Sequence, residues 1–247
     1  MIYTGLVSIS FRELSPEQIM QEMVNNGLKY VEWGSDVHAP CTDSAQLERI
    51  VALQKEYGIT CCSYGTYFRL GVTPNEELPG YIAAAKQLGT KTLRLWAGKK
   101  SADKFTPEER KVFFDTCREA AKIAEDAGVV LCMECHRRTY TETAQDALEL
   151  MEAVHSPAFR MYWQPSQALS IEGNVEYIQK LMPYIENLHV FQWKNEIRYP
   201  LSTGEEEWKT YMSQFSGDRA ALLEFMPDDR IESLPEEAAA LHRILTV

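Results

Sequence analysis

Four times before residue 135 the chain repeats one unit: an amphipathic stretch, a glycine, then a short run of β-branched, aromatic or leucine residues. The junctions are Asn26-Gly27 ahead of Leu28 to Trp33, Tyr57-Gly58 ahead of Ile59 to Tyr64, Leu88-Gly89 ahead of Lys91 to Trp96, and Ala127-Gly128 ahead of Val129 to Glu134. Their glycines stand 31, 31 and 39 residues apart, close to the length of one βα unit. A glycine just past a helix supplies the left-handed conformation that ends it, and a strand begins almost at once.

The intervening helices announce their starts. Ser15-Pro16-Glu17-Gln18 and Thr106-Pro107-Glu108-Glu109 each combine a capping residue, proline at the first helical position and Gln or Glu at the third. Ile19, Met20, Met23 and Val24 then recur at helical spacing, as do Val112, Phe113, Cys117, Ala120, Ala121 and Ala124. Beyond residue 135 the punctuation weakens, but strands are expected near Phe159 to Gln164, Asn187 to Gln192 and Ala220 to Phe225. Helices are expected near Ala144 to Val154, Val175 to Met182, Glu205 to Gln214 and Glu236 to Leu245. With a first strand at Tyr3 to Ile9 this makes eight βα units. Eight in this length predict a closed (β/α)8 barrel, a TIM barrel in one domain over residues 1–247, rather than an open doubly wound sheet. No phosphate-cradling glycine motif follows the first strand.

The composition agrees with that class. Of 247 residues, 45% are apolar and 25% charged, as in a folded chain with a large core. Twenty-five basic against 36 acidic residues leave a formal charge of -11, which repels nucleic-acid phosphates and anionic membrane surfaces. Met1 to Val7 has no basic leader, and no segment nears the roughly 18 apolar residues of a membrane span, so a cytoplasmic protein is expected. Six cysteines form no disulfide framework. Cys132 and Cys135 stand three apart, but in a strand such positions face opposite sides of the sheet, which argues against a zinc or redox pair.

In such barrels the chemistry sits where strands run into the following loops, and here those ends are polar. The candidates are Glu32, Asp36 and His38 after the second strand, Tyr64 on the third, Arg94 on the fourth, and Glu134 with His136 at the fifth. Gln164 and Gln167 belong to the sixth, His189 and Gln192 to the seventh and Glu224 to the eighth. Glu134 and Glu224 each close an apolar run, where a carboxylate is costly to bury without a cation or strong donors. That cation is either an arginine such as Arg94 or a metal. Glu134, Gln164, His189 and Glu224 offer oxygen ligands and one imidazole, a set suited to Mn, Mg, Co or Zn in an open site.

Leu28-Lys29-Tyr30-Val31-Glu32-Trp33-Gly34 with Asp36-Val37-His38-Ala39-Pro40 resembles the second-strand motif of the xylose-isomerase-like barrels, the sugar phosphate isomerases and epimerases. Glu134-Cys135-His136 with Thr139, Thr141 and Thr143 resembles their fifth-strand motif, where the glutamate binds metal and the histidine faces substrate. His189 to Lys194 resembles the seventh-strand metal histidine segment, and Leu222-Leu223-Glu224 the eighth-strand glutamate. The resemblance implies a divalent metal on Glu134, Gln164, His189 and Glu224, with Glu134 and Glu224 as base and acid through an enediolate. It departs from the family at strand six, where an aspartate ligand is usual and Tyr162-Trp163-Gln164-Pro165 stands here.

Substrate contacts are expected from His38, Arg94, His136 and Gln167, and Trp33, Trp96 and Trp163 are candidates for an apolar wall. Arg12, Arg69, Lys99, Lys100, Arg137, Arg138 and Lys194 follow strands and form either solvated loop charge or a rim that attracts an anionic carbohydrate. His155 and His242 read as helix-end or surface residues. The expected activity is metal-dependent isomerisation or epimerisation of a sugar or sugar phosphate. A lyase of the inosose dehydratase type and a sugar-binding barrel with a decayed metal site are the alternatives. Abasic-site cleavage of the endonuclease IV type would need a histidine-rich metal cluster that this acidic chain lacks. The expected partner is a small carbohydrate, with nucleic acid and membrane excluded and a homo-oligomer left open.

Overall fold

The alternation closes into a ring. In the computed structural model, which describes residues 1–246, the elements run β1 (Ile2–Val7), α1 (Pro16–Asn25), β2 (Tyr30–Gly34), α2 (Ser44–Tyr57), β3 (Thr60–Arg69), α3 (Leu78–Leu88), β4 (Thr92–Trp96), α4 (Pro107–Ala127) and β5 (Val130–Glu134). They continue with α5 (Ala144–Val154), β6 (Phe159–Trp163), α6 (Ile171–Leu181), β7 (Ile185–Val190), β8 (Gln192–Lys194), β9 (Ile197–Tyr199), α7 (Glu205–Met212), β10 (Arg219–Leu223) and α8 (Leu234–Leu245). Eight parallel strands form a closed barrel in the order β1-β10-β7-β6-β5-β4-β3-β2. The seam is β1 against β10, with Gly5 opposite Leu222. Among the described residues no helix is long and apolar enough to cross a membrane.

The expected helix signals operate. Ser15 and Thr106 complete capping boxes on α1 and α4, and Gly89 and Gly128 end α3 and α4 at φ of 88° and 68°. One expectation fails in detail. The seventh strand ends at Val190, and Gln192 opens a separate antiparallel hairpin, β8 against β9. Its turn residues Asn195 and Glu196 both have positive φ, 52° and 64°, which matches the twist of a tight hairpin. No glycine marks that break, so Asn187 to Gln192 reads as one strand.

Strand alternation sorts the side chains into two cores. Leu131, Met133, Leu188 and Leu223 face the helices and join the main apolar cluster, whereas Cys132, Tyr162, Ala220 and Leu222 face the barrel axis in a smaller one. Cys135 belongs to the outer cluster and Cys132 to the inner, and all six cysteines are free thiols. The same period of two sends Glu32, Arg94, Glu134, His189 and Glu224 toward the axis.

Candidate active site

These inward residues form one buried polar layer. Arg94 is 2% exposed, and two of its three nitrogens bind carboxylates: Nε donates to Glu32 Oε1 at 2.8 Å and Nη1 to Glu134 Oε2 at 2.6 Å. Glu32 and Arg94 come from β2 and β4 and meet across β3, which is Gly65 at that point. A Cβ on Gly65 would stand 2.5 Å from Glu32 Oε1 and 2.9 Å from Arg94 Nη2. The glycine is there because the ion pair occupies the space above it.

His189, fully buried, continues the layer. Nε2 lies 3.6 Å from Glu32 Oε1; Nδ1 lies 3.4 Å from Glu224 Oε2 and 3.2 Å from Gln164 Oε1. Burial pushes the Glu32 carboxyl up, but Arg94 and His189 outweigh it and hold Glu32 well below the usual carboxylate range. Burial pushes Glu224 up to about 7; the anions Glu134 and Glu32 push the same way, while His189 and Arg94 oppose them. Burial lowers His189, and Glu224 and Glu32 more than reverse it, so the imidazole binds its proton more tightly than usual.

Above the layer a cavity of about 920 Å³ opens at the C-terminal ends of the strands. Arg94, Glu134, His136, Gln164, Gln167 and Glu224 line it, and His189 lies beneath Gln164 and Glu224. His136 has its Nδ1 against the carbonyl of Arg137 at 2.6 Å. Gln167 accepts at Oε1 from the Glu196 N–H at 3.0 Å, which joins the loop after β6 to the hairpin tip.

Several expected contacts are corrected. His38 does not face the cavity; both ring nitrogens are engaged below, with Ser8 Oγ at 3.0 Å and the Leu14 carbonyl at 3.2 Å, so the ring fixes the loop after β2. Arg94 lines the cavity with Nε and Nη1 given to carboxylates, which leaves Nη2 as the donor it can offer there. Trp33 and Trp163 are outward core residues, and only Trp96 of the three lines the cavity. Three of the seven rim cations are paired: Arg12 with Asp36, Lys100 with Glu109 and Arg137 with Glu196. Of the seven rim cations, Arg12 and Arg137 line the cavity. Sequence reasoning missed Gly65, whose signal was a glycine inside a strand, and the wall made by Tyr67, Phe191, Trp193 and Phe225.

Among the described residues no three His, Cys, Asp or Glu side chains converge as a metal site. The amide of Gln164 changes the count. Around a divalent ion with ligands at about 2.1 Å, neighbouring donors stand about 3.0 to 3.4 Å apart. The 3.2 and 3.4 Å separations from His189 Nδ1 to Gln164 and Glu224 fit that spacing. Glu32 faces the other ring nitrogen, the position from which a carboxylate selects the tautomer that leaves Nδ1 free to coordinate. Glu134 gives one oxygen to Arg94 and keeps the other. Gln164, His189 and Glu224 therefore have donor spacings that fit a divalent ion.

Known proteins match this frame. A 3-dehydroshikimate dehydratase of Bacillus anthracis is 24% identical over 202 residues, 75% of this chain and 70% of that protein. The crystal structure of the probable 3-DHS dehydratase AsbF from Bacillus anthracis superposes with a TM-score of 0.83 at 20% identity, covering 98% of this chain and 99% of that one. The 3-keto-D-glucoside 4-epimerase of E. coli superposes at 0.77 with 12% identity over 98% and 99%. The IOLI protein, solved with a bound zinc atom, superposes at 0.73 with 14% identity over 99% and 98%. The model of the xylose isomerase-like TIM barrel matches residues 20–243. The chain belongs to the xylose isomerase-like TIM barrel family.

Proposed function

We propose that the protein is an enzyme that takes a proton from the carbon beside the carbonyl of a small carbohydrate, with Glu134 and Glu224 as the two proton carriers. One observation carries this reading: both carboxylates, from β5 and the end of β10, open into the same cavity, which Gln164 also lines, with His189 beneath Gln164 and Glu224. Gln164, His189 and Glu224, joined by the remaining oxygen of Glu134, are the groups that would hold a divalent ion of the Mn, Mg, Co or Zn type. Such an ion, when bound, supplies polarisation of the carbonyl and charge stabilisation for the enediolate. The zinc in the IOLI structure supports a metal in this type of barrel.

The residues of the chain do the rest. Arg94 fixes the orientation of the Glu134 carboxylate through the 2.6 Å bond, so that its free oxygen is presented to the cavity. One carboxylate accepts the proton as the C–H electron pair moves into the new C=C bond. The other returns a proton, to the neighbouring carbon in an isomerisation or to the opposite face of the same carbon in an epimerisation.

A second reading is dehydration. The relative that matches 75% of this chain is a dehydratase. His136 has a ring whose Nδ1 is held by a backbone carbonyl, leaving Nε2 for the cavity. In this reading the same deprotonation is followed by loss of a hydroxyl from the next carbon, and His136 delivers the proton that makes it water.

Incubation of the protein with free sugars, sugar phosphates, sugar acids, inositols and cyclic hydroxy ketones in D2O tests both. Deuterium incorporation or loss of water is expected for at least one class and is lost in Glu134→Gln and Glu224→Gln. No exchange with any class would leave a non-catalytic sugar-binding barrel and overturn the proposal.

A further inference from the structure

The side wall of the cavity carries information that the acid–base layer does not. Beyond the end of β7, Phe191 and, in β8, Trp193 stand two and four residues after His189, and both rings line the cavity wall above the layer. Their centroids stand 5.3 Å apart.

Phe225 joins them by a different device. It follows Glu224 directly, and by alternation one of the two should face the helices. Instead Phe225 takes φ of 57°, a left-handed conformation that is strained for a bulky residue. Its N–H donates to Ser10 Oγ at 2.9 Å, which holds the turn. The ring then lines the same cavity as Glu224 and lies 5.6 Å from Trp193. Arg198 stacks behind both rings, 5.1 Å from Trp193 and 4.7 Å from Phe225, and is itself pinned by Asp229. The shelf is supported on its far side and open toward the cavity.

A cavity of about 920 Å³ lies at the upper end of the range of about 300–1,000 Å³ that encloses drug-sized ligands, and one six-membered sugar ring fills only a small part of it. Taking the acid–base reading above as its base, the geometry points to a second subsite: Phe225 and Trp193 stack a second ring, sugar or aryl, attached to the ring that is deprotonated beside Glu224. The substrate class is thus a glycoside that carries a ketone on the ring deprotonated beside Glu224, or another two-ring polyhydroxylated ketone, rather than a free monosaccharide; plain glycosides serve as probes of the second subsite alone. Aromatic faces suit this role because a ring's apolar face stacks on them while its rim hydroxyls stay solvated.

Calorimetric titration with the 4-nitrophenyl and methyl glycosides of glucose, galactose, mannose and xylose tests this. At least one nitrophenyl glycoside should bind about tenfold tighter than its methyl counterpart. Trp193→Leu should remove that margin and Trp193→Phe should keep it, with Phe225→Leu as the second variant if Trp193→Leu does not fold. The inference is overturned if no nitrophenyl glycoside binds tighter than its methyl partner, absence of binding by both included, or if the margin survives in Trp193→Leu and Phe225→Leu. Binding is read without turnover, so failure of deuterium exchange would sink the acid–base reading and leave this result standing, and the reverse.

Discussion

Gly65 lies beneath the guanidinium of Arg94, so close that a Cβ on it would reach within 2.9 Å of Nη2 and 2.5 Å of the Glu32 oxygen bonded to Arg94. The absence of a side chain on β3 is thus the condition for an ion pair between β2 and β4. Gly65→Ala should destabilise the fold by about 1–3 kcal/mol through overpacking, read as a lower denaturation midpoint at unchanged m-value. A neutral effect would mean that the pair can move aside at no cost.

Removing Arg94 should be worse. Arg94→Met leaves Glu32 buried without its cation and should cost about 3–5 kcal/mol. Glu32→Gln combined with Arg94→Met should be more stable than Arg94→Met alone, because the uncompensated charge is gone. Additive losses in urea unfolding would show that Glu32 and Arg94 are not coupled.

Divalent-ion binding separates the proposed ligands from their neighbours. Mn2+ titrated into metal-stripped protein should bind about 10–100-fold more weakly to His189→Ala and Glu224→Gln than to wild type. Gln164→Asp should bind it more tightly by adding a negative charge to the donor set. Equal affinity across the four proteins would place the ion elsewhere.

Arg137 lines the cavity but is paired with Glu196 across two exposed side chains, where solvent screens the attraction. Arg137→Ala should leave the melting temperature nearly unchanged and weaken anionic and neutral ligands alike. A selective loss of the anionic ligand would restore the rim as an anion receptor.

Glu237 on α8 gives the fold a pH dependence remote from the site. It is 4% exposed, and both its oxygens accept from the Leu201 N–H, at 3.2 and 3.1 Å. Burial pushes its carboxyl from 4.5 up to about 7. The folded chain therefore keeps a proton that the unfolded chain has released. The stabilisation is fully present below about pH 4.5 and is lost as pH rises through about 7. Glu237→Gln should be more stable than wild type at pH 8 by about 1–3 kcal/mol and should flatten this part of the stability profile. Parallel profiles for the two proteins would show that Glu237 does not titrate there.

The barrel was legible because its junctions carry strong local chemistry: a capping box at Ser15 and at Thr106, and a left-handed glycine at the ends of α3 and α4. The axial layer was legible because period two places every second strand residue inside, so a Glu after an apolar run is conspicuous. What the sequence hid depends on relations between distant residues. His38 looks like any histidine after a strand, and only the positions of Ser8 and Leu14 turn it downward. Phe225 breaks the alternation through a backbone angle that no neighbouring glycine announces. The β8–β9 turn uses Asn195 and Glu196 for positive φ, and the second of these is a residue type that gives no turn signal.

The order in which the strands close has a consequence for synthesis. Glu224 follows β10, the last strand, and β10 closes the ring by pairing with both β7 and β1. Until that strand leaves the ribosome, the polar layer on β2, β4, β5 and β7 faces an open seam through which water can reach it. The drying of Glu32, Arg94 and His189 therefore requires β10 in place. A nascent chain stopped short of Arg219 would carry the charges of the site without the wall that dries them.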